Sequence, residues 1–165
     1  MISIRRAFAS KKDRATFADP LTLVDDVYRY ALARTGSKED AEDIAIEVVQ
    51  QSPKHLTIDE LKPYVIGMAR RKVANHFRHV KRQLEPAPQV AEASLDDMLD
   101  VQRALDSVSE THRECLILKY VTGMTSAEIS TQLQLSPEAV DSLLQRARKA
   151  FANQWEIMHG EDNGR

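Results

Sequence analysis

The feature that most constrains the fold is a series of helix-start signals, each followed by apolar residues spaced three and four positions apart. Asp19 and Ser136 each precede a proline, a pairing that suits the cap and the first position of a helix. Capping-box patterns, in which an acid follows a serine or threonine by three positions, begin at Ser37, Ser94 and Thr125. Because the chain has only five glycines and six prolines to interrupt these segments, the sequence predicts an all-α protein.

One segment, residues 83–93, interrupts the helical pattern. It reads QLEPAPQVAEA and holds two of the six prolines, which is typical of a flexible linker. We therefore predict two small helical domains joined by this linker. The predicted boundaries are an N-terminal extension at 1–19, a first domain at 20–82, the linker at 83–93, a second domain at 94–158 and a tail at 159–165. The extension and the tail are expected to be disordered.

The segment from Thr125 to Ala147 has the spacing of a helix-turn-helix. Its inward-facing positions would be Ile129, Leu133, Val140 and Leu144. Leu135 would plug the turn, and Gln134 stands where a turn glycine is usual. The second helix would then direct its solvent-facing residues towards the major groove and the phosphates beside it. These are Ser136, Glu138, Ala139, Asp141, Ser142, Gln145, Arg146, Arg148 and Lys149. On this segment alone, an ordinary helical hairpin in a bundle is the alternative.

Charge is segregated in the first predicted domain, although the whole chain carries a formal charge of only −2. Acids dominate from Ser37 to Glu60, whereas residues 61–84 contain no acid and many bases. A charge run is often only a solvated helix face, yet an acidic helix followed by a basic one favours two surfaces with different partners. The basic helix could follow a phosphate backbone, and the acidic cluster would suit a basic protein surface.

The start of the basic helix is open between two positions. Pro63 suits a first helical turn, so the helix could begin there. Alternatively, Thr57 and Glu60 could cap an earlier turn, which would leave a kink at Pro63.

The sequence argues against an enzyme and against a resident metal. It has no Gly-rich phosphate loop, nucleophile elbow or HExxH motif. His76 and His79 are three residues apart, but no third ligand is evident and their basic neighbours would repel a cation. The single Cys115 excludes a disulfide framework, and its apolar neighbours indicate a buried, inert thiol. No segment is long and apolar enough for export or membrane spanning, so we expect a cytoplasmic location, no cofactor and no small-molecule substrate.

Taken in order, these segments resemble a bacterial extracytoplasmic-function sigma factor of the sigma-70 family. The resemblance spans about Leu21 to Phe151 and rests on the acidic segment DAED, the helix KPYVIGMARRKVANHFRHVKR, the linker, and RALDSVSETHRECLILKYVTGMTSAEISTQLQLSPEAVDSLLQRARKAF. No single motif is decisive, whereas the combination is specific. It implies a region-two domain that binds the clamp helices of RNA polymerase and melts the minus-ten element. It also implies a region-four domain that reads the minus-thirty-five element and touches the polymerase flap.

The resemblance also implies roles for particular residues. The polymerase-binding acids would be Asp40, Glu42, Asp43 and Glu47. The minus-ten contacts would be Arg70, Arg71, Lys72, Asn75, His76, Arg78, Lys81 and Arg82. The minus-thirty-five contacts would be Ser136, Glu138, Ser142, Gln145, Arg146, Arg148 and Lys149. Tyr64 replaces the tryptophan that usually opens the third helix, and Asp141 and Leu143 stand where the family often carries Lys or Arg.

Three functions are compatible with these patterns. The first is an alternative sigma factor that binds core RNA polymerase and promoter DNA, under an anti-sigma factor that could hold it at the membrane. The second is a sigma-like protein that sequesters an anti-sigma factor without driving transcription, which Asp141 and the near-neutral charge favour. The third is a plain helix-turn-helix repressor or activator, which leaves the adjacent acidic and basic helices unexplained. None of the three needs a catalytic residue.

Overall fold

The computed structural model describes residues 17–83 and 96–160, and these form seven α-helices without a strand between them. A 3-10 turn at Pro20–Leu23 leads into α1 (Val24–Thr35), α2 (Lys38–Gln51), α3 (Ile58–Gln83), α4 (Asp96–Ser107), α5 (Glu110–Leu116), α6 (Ser126–Leu133) and α7 (Pro137–His159). After α5 the chain widens into a π-helical turn at Ile117–Val121. The predicted all-α class is confirmed. The predicted linker beyond Gln83, most of the N-terminal extension and most of the tail lie outside the described residues.

The predicted caps begin most of these helices. At α6, Thr125 and Glu128 form a complete capping box, because Thr125 Oγ1 accepts from the Glu128 backbone and Glu128 Oε2 accepts from the Thr125 backbone. Ser37 forms only half of one: it accepts from the Asp40 backbone at 3.3 Å, while its own N–H donates to Thr35 Oγ1. The other capping side chains are those of Asp19, Ser109 and Ser136. Ser94 lies outside the described residues.

The basic helix α3 takes the earlier of its two possible starts. Glu60 Oε2 accepts hydrogen bonds from the backbone N–H and the hydroxyl of Thr57, at 3.1 and 3.0 Å. The helix therefore begins at Ile58 and contains Pro63 as its sixth residue. Because proline has no N–H, the helix lacks one backbone hydrogen bond at this position.

The helices pack into two halves, which we call the N-terminal half (residues 17–83) and the C-terminal half (residues 96–160). In the first, α1 packs against α2 and α3 around buried apolar side chains. In the second, the long α7 packs against α4, α5 and α6. The two halves also touch: α1 packs on the π-helical turn, α3 meets α6, and the buried side chains form one continuous cluster.

The helix-turn-helix has the predicted frame with one correction. Ile129, Val140 and Leu144 are buried, and Leu133 packs against the same core. Leu135 does not plug the turn, since its side chain is 40% exposed. Its backbone closes the turn instead, because the Leu135 N–H donates to the Ser130 carbonyl at 3.0 Å while Gln134 adopts the left-handed conformation (φ 56°).

Within residues 17–83 and 96–160, no helix combines the length and the apolar character that crossing a membrane requires.

Candidate functional site

The acids of α2 divide between two faces of the helix. Glu42 and Asp43 are exposed to solvent. Asp40 and Glu47 face α3 instead: Asp40 Oδ2 lies 3.6 Å from His76 Nε2, and Glu47 forms an ion pair with Lys72. The hydrogen bond from Lys72 holds the pKa of Glu47 below its usual value. Of the four predicted polymerase-binding acids, Asp40 and Glu47 contact α3 side chains. Glu42 and Asp43 are the two that face solvent away from α3.

The predicted DNA-contacting residues of α3 divide among three directions. Lys72 and His76 point towards α2, where they meet the acids Glu47 and Asp40. Arg71, Asn75 and Arg78 are exposed, and they form the open basic face of the helix. Arg70 points towards the C-terminal half. Lys81 and Arg82, which were also predicted to contact DNA, lie outside the described side chains.

Arg70 is held by the C-terminal half. Its Nε donates to Glu114 Oε1 at 2.6 Å, and its Nη1 donates to the backbone carbonyl of Gln132. Glu114 lies on α5 and is only 7% exposed. It also accepts from the hydroxyl of Tyr30 at 3.0 Å and pairs with Arg34 Nε at 3.1 Å. A predicted DNA contact is thus part of a buried charge network.

Two members of this network, Tyr30 and Arg34, have shifted pKa values. Burial, reinforced by the charge of Glu114, raises the pKa of Tyr30 far above its usual value, so its hydroxyl stays a neutral donor. Burial alone would lower the pKa of Arg34, but the bond to Glu110 and the charge of Glu114 outweigh this effect and raise it. Arg34 therefore remains a cation although its side chain is only 9% exposed.

Sequence reasoning missed Tyr30, Arg34, Glu114 and Gln132 as a group. A weak signal was present at Glu114, which directly precedes the apolar run from Cys115 to Leu118. A carboxylate in such a position is buried and needs partners. The partners are 84 and 44 residues away along the chain, so no local spacing indicates them.

The second helix of the helix-turn-helix, α7, presents one polar face to solvent. Glu138, Asp141, Ser142, Gln145, Arg146 and Lys149 are exposed, whereas Val140, Leu143, Leu144 and Ala147 are buried. Ser136 caps the helix by accepting from the Ala139 backbone at 3.2 Å. Arg148 lies to one side, with Nη1 3.3 Å from the hydroxyl of Tyr120.

The two unusual residues of α7 have structural accounts. Asp141 Oδ1 accepts a hydrogen bond from the Ser126 hydroxyl at 2.8 Å, which ties α7 to the first turn of α6. Leu143 is 6% exposed and belongs to the core, so a base at this position would be buried. Neither residue counts against a DNA-facing role for the polar face as a whole.

A basic cleft of about 380 Å³ lies between α3 and α6. It is lined by Arg70, Arg71 and Arg78 from one side and by Thr131, Gln132 and Gln134 from the other. Within the described ranges, no three His, Cys, Asp or Glu side chains come together as metal ligands. The described residues offer exposed acidic and basic helix faces.

The known proteins to which this chain is similar are sigma factors of RNA polymerase. Residues 98–151, which include most of α4 to α7, match the family model described as Sigma-70, region 4. The chain is 28% identical to the ECF RNA polymerase sigma factor SigL of Mycobacterium tuberculosis over 142 residues, covering 76% of this chain and 80% of that protein. It is 25% identical to the ECF RNA polymerase sigma factor BldN of Streptomyces coelicolor over 146 residues, covering 78% of this chain but only 55% of BldN.

The similarity extends to the fold. The sigma factor RpoE from Bartonella quintana, solved in complex with the anti-sigma factor NepR, superposes with a TM-score of 0.65. That match covers 83% of this chain and 94% of RpoE at 17% sequence identity, so it bears on the fold alone. The sequence matches cover about three quarters of the chain, which is more than the C-terminal half, so they extend into the N-terminal half as well.

Proposed function

We propose that this chain is a sigma factor of the extracytoplasmic-function group, which binds core RNA polymerase and directs it to particular promoters. The observation that carries the proposal is that three helices present exposed faces of different character: one acidic, one basic and one polar. Glu42 and Asp43 give α2 an exposed acidic face, Arg71 and Arg78 give α3 an exposed basic face, and α7 presents a polar face from a helix-turn-helix. A plain helix-turn-helix repressor would need only the last of these.

The acidic face of α2 suits a basic protein surface. Carboxylates at the rim of an interface act mainly through complementarity and association rate, and a charge reversal there is strongly unfavourable. We assign the clamp helices of core polymerase as the partner of Glu42 and Asp43. Asp40 and Glu47 then act indirectly, since they hold His76 and Lys72 of the neighbouring helix.

The basic face of α3 suits single-stranded DNA at a melted minus-ten element. Arg71 and Arg78 provide phosphate contacts, while Asn75 can form hydrogen bonds with an unstacked base. Phe77 is 41% exposed on the same helix and offers a surface on which a base can stack. This combination supports assistance in strand separation, which requires binding energy and no catalytic group.

The polar face of α7 suits duplex DNA at a minus-thirty-five element. In a helix-turn-helix the second helix enters the major groove with its N-terminal residues towards base edges. Ser142 and Gln145 are placed for such edges, and Arg146 and Lys149 for phosphates. We assign the polymerase flap as the partner of the opposite side of the C-terminal half.

An anti-sigma factor is the regulator we propose, in the cytoplasm or at the membrane. The alternative, in which the chain only sequesters an anti-sigma factor, drew support from Asp141 on the DNA-facing side. Since Asp141 is engaged by Ser126, that support is weaker, and promoter recognition is the better proposal.

Polymerase binding tests the proposal and separates it from the alternative. The variant with Glu42→Lys and Asp43→Lys should lose at least about tenfold in affinity for core RNA polymerase, because two rim carboxylates become repulsive. Glu156→Lys, a reversal at an exposed acid on α7, is the matched control and should bind like the unchanged chain. Equal binding by all three proteins would remove α2 from the polymerase interface and favour the sequestering function.

A further inference from the structure

We propose that the cleft between α3 and α6 is a binding site for a diphosphate group, carried by inorganic pyrophosphate or by a nucleoside diphosphate. The site itself does not depend on the proposed function. Its effect on transcription does, because Arg71 and Arg78, which line the cleft, are also the residues assigned to single-stranded DNA. A diphosphate in the cleft would compete with promoter DNA for the basic face of α3.

The charge of the cleft is the first observation. Arg70, Arg71 and Arg78 line it, and none of the described residues around it is an acid. Glu114 balances the charge of Arg70, whereas Arg71 and Arg78 form no ion pair within residues 17–83 and 96–160. Two guanidinium groups without a carboxylate partner favour an anion with at least two negative charges.

The kind and spacing of the bases indicate linked phosphate groups. A guanidinium group can donate two parallel hydrogen bonds to one phosphate. Arg71 and Arg78 are seven residues apart on α3, which is about 10 Å along the helix axis. Two linked phosphates can therefore engage both arginines more readily than a single phosphate can. Ala74 lies between the two arginines and lines the cleft, so its short side chain leaves room for the ligand.

The size of the cleft agrees with a small anion. Its volume of about 380 Å³ is near the lower end of the range of about 300–1,000 Å³ that is usual for small-molecule sites. The wall formed by α6 adds neutral hydrogen-bonding groups, namely the hydroxyl of Thr131 and the side-chain amides of Gln132 and Gln134. A cation would be repelled by the three arginines on the other wall.

Gln134 is the second observation, and it is independent of the charge. It lines the cleft from the end of α6 and is the one non-glycine residue in the described ranges with a positive φ, 56°. A glycine would adopt this conformation without strain. Strained backbone at a residue that lines a cleft is typical of a functional position. The Gln134 amide forms no hydrogen bond with the described residues, so it can donate to a phosphate oxygen.

Calorimetric titration of the full chain with inorganic pyrophosphate, in magnesium-free buffer of constant ionic strength, tests the site without polymerase or DNA. Binding should saturate at a single site. Pyrophosphate should bind at least about tenfold more tightly than inorganic phosphate, because only pyrophosphate engages both arginines. ADP is the second probe: tighter binding than that of pyrophosphate would assign the cleft to a nucleotide, and equal or weaker binding to the diphosphate group alone. Absence of saturable binding of both probes at millimolar concentration would overturn the proposal.

Three variants locate the ligand. Arg71→Gln and Arg78→Gln each remove one guanidinium group from the cleft and should weaken pyrophosphate binding at least about tenfold. Arg29→Gln removes an exposed base that pairs with Asp25 on α1, and it should bind pyrophosphate like the unchanged chain. Equal weakening by all three variants would show only a general attraction of anions and would overturn the site in the cleft.

Gln134→Gly separates ligand binding from folding. The variant removes the amide and relieves the left-handed strain, so pyrophosphate affinity should fall about threefold while the urea midpoint rises. A merely structural role for Gln134 would not move these two quantities in opposite directions. Unchanged affinity would contradict the role of Gln134 in the site.

Competition with DNA separates this inference from the proposed function. Pyrophosphate at about ten times its dissociation constant should weaken the binding of a mixed-sequence single strand about elevenfold, because both ligands need the same arginines. Pyrophosphate binding without competition would refute the assignment of Arg71 and Arg78 to DNA and leave the diphosphate site standing. Strand binding that depends on Arg71 and Arg78, without any pyrophosphate binding, would refute the diphosphate site and leave the proposed function standing.

Discussion

At the scale of single residues, the roles of charged side chains depend on the partners that the fold brings to them. Asp141 lies on the exposed face of α7, where a carboxylate would repel DNA phosphates, yet it accepts a hydrogen bond from Ser126 across the helix-turn-helix. The family resemblance assigned Arg70 to DNA, and the structure shows it paired with Glu114. In both cases the partner lies too far along the chain for sequence spacing to indicate it.

The Asp141–Ser126 contact gives a prediction on stability. Asp141→Ala removes an acceptor from a solvent-exposed hydrogen bond and should lower the free energy of unfolding by about 0.5–1 kcal/mol. Asp141→Asn keeps an acceptor oxygen and should cost less. Urea unfolding of Ser126→Ala, Asp141→Ala and the double variant measures the coupling between them. Strictly additive effects would show that the two side chains do not interact.

Cys115 gives a prediction on reactivity. Burial raises the pKa of its thiol to about 11, and only the thiolate is an effective nucleophile. The folded chain should therefore resist iodoacetamide at pH 8, and the urea-unfolded chain should react at the rate of a free cysteine. Because the folded pKa is raised, the protein should also lose stability as the pH rises from about 9 towards 11. Rapid labelling of the folded chain would contradict the buried position.

At the scale of elements, the helix ends were predictable because capping depends on neighbouring residues. The caps at Asp19, Thr125 and Ser136 and the stop at Gly36 occur where the residue types require them. The π-helical turn after α5 was not predictable, because nothing in its residue types distinguishes it from a continuing α-helix. Leu135 was wrongly assigned to the core, since the left-handed Gln134 directs the following side chain outwards.

The two left-handed helix ends predict opposite mutational effects. Gln134 has φ 56°, a conformation that costs a non-glycine residue about 1 kcal/mol, so Gln134→Gly should raise the free energy of unfolding by up to about that amount. Gly36 has φ 69° at the end of α1, and Gly36→Ala should lower it by about 1 kcal/mol. Urea midpoints measure both. A destabilising Gln134→Gly would indicate that the glutamine side chain contributes more than the strained backbone costs.

The three directions of the α3 bases predict different salt dependences. Each phosphate contact to single-stranded DNA adds about 0.7 to the slope of log affinity against log salt concentration. Arg71→Ala and Arg78→Ala should each reduce the slope for a mixed-sequence 20-nucleotide single strand by about 0.7. Arg70→Ala should change it less, because Arg70 is engaged by Glu114.

Arg29 of α1 is the control for this series. It pairs with Asp25 on its own helix, so Arg29→Ala should leave the slope unchanged. Equal slopes for the unchanged chain and for both Arg71→Ala and Arg78→Ala would remove α3 from the DNA interface.

At the scale of the whole molecule, the sequence pattern predicts the helical units but not how they pack against each other. Two helical units and the helix-turn-helix followed from periodicity and caps. The contact between the units did not, because Tyr30, Arg70 and Glu114 have no regular spacing and become a group only in three dimensions. The boundaries of the linker and of the two ends remain a prediction, because most of these residues lie outside the described ranges.

The arrangement also bears on how two modest DNA-facing surfaces could act together. Two sites on one chain raise each other's effective concentration only when their separation matches that of the two promoter elements.

Promoter-dependent transcription tests the central claim most directly. The purified chain, mixed with core RNA polymerase and a library of genomic fragments, should yield transcripts that start at a limited set of sites, and core polymerase alone should yield none of them. The start sites should share sequence elements at two fixed upstream distances. Stable binding of the chain to core polymerase without any chain-dependent transcript would contradict the account.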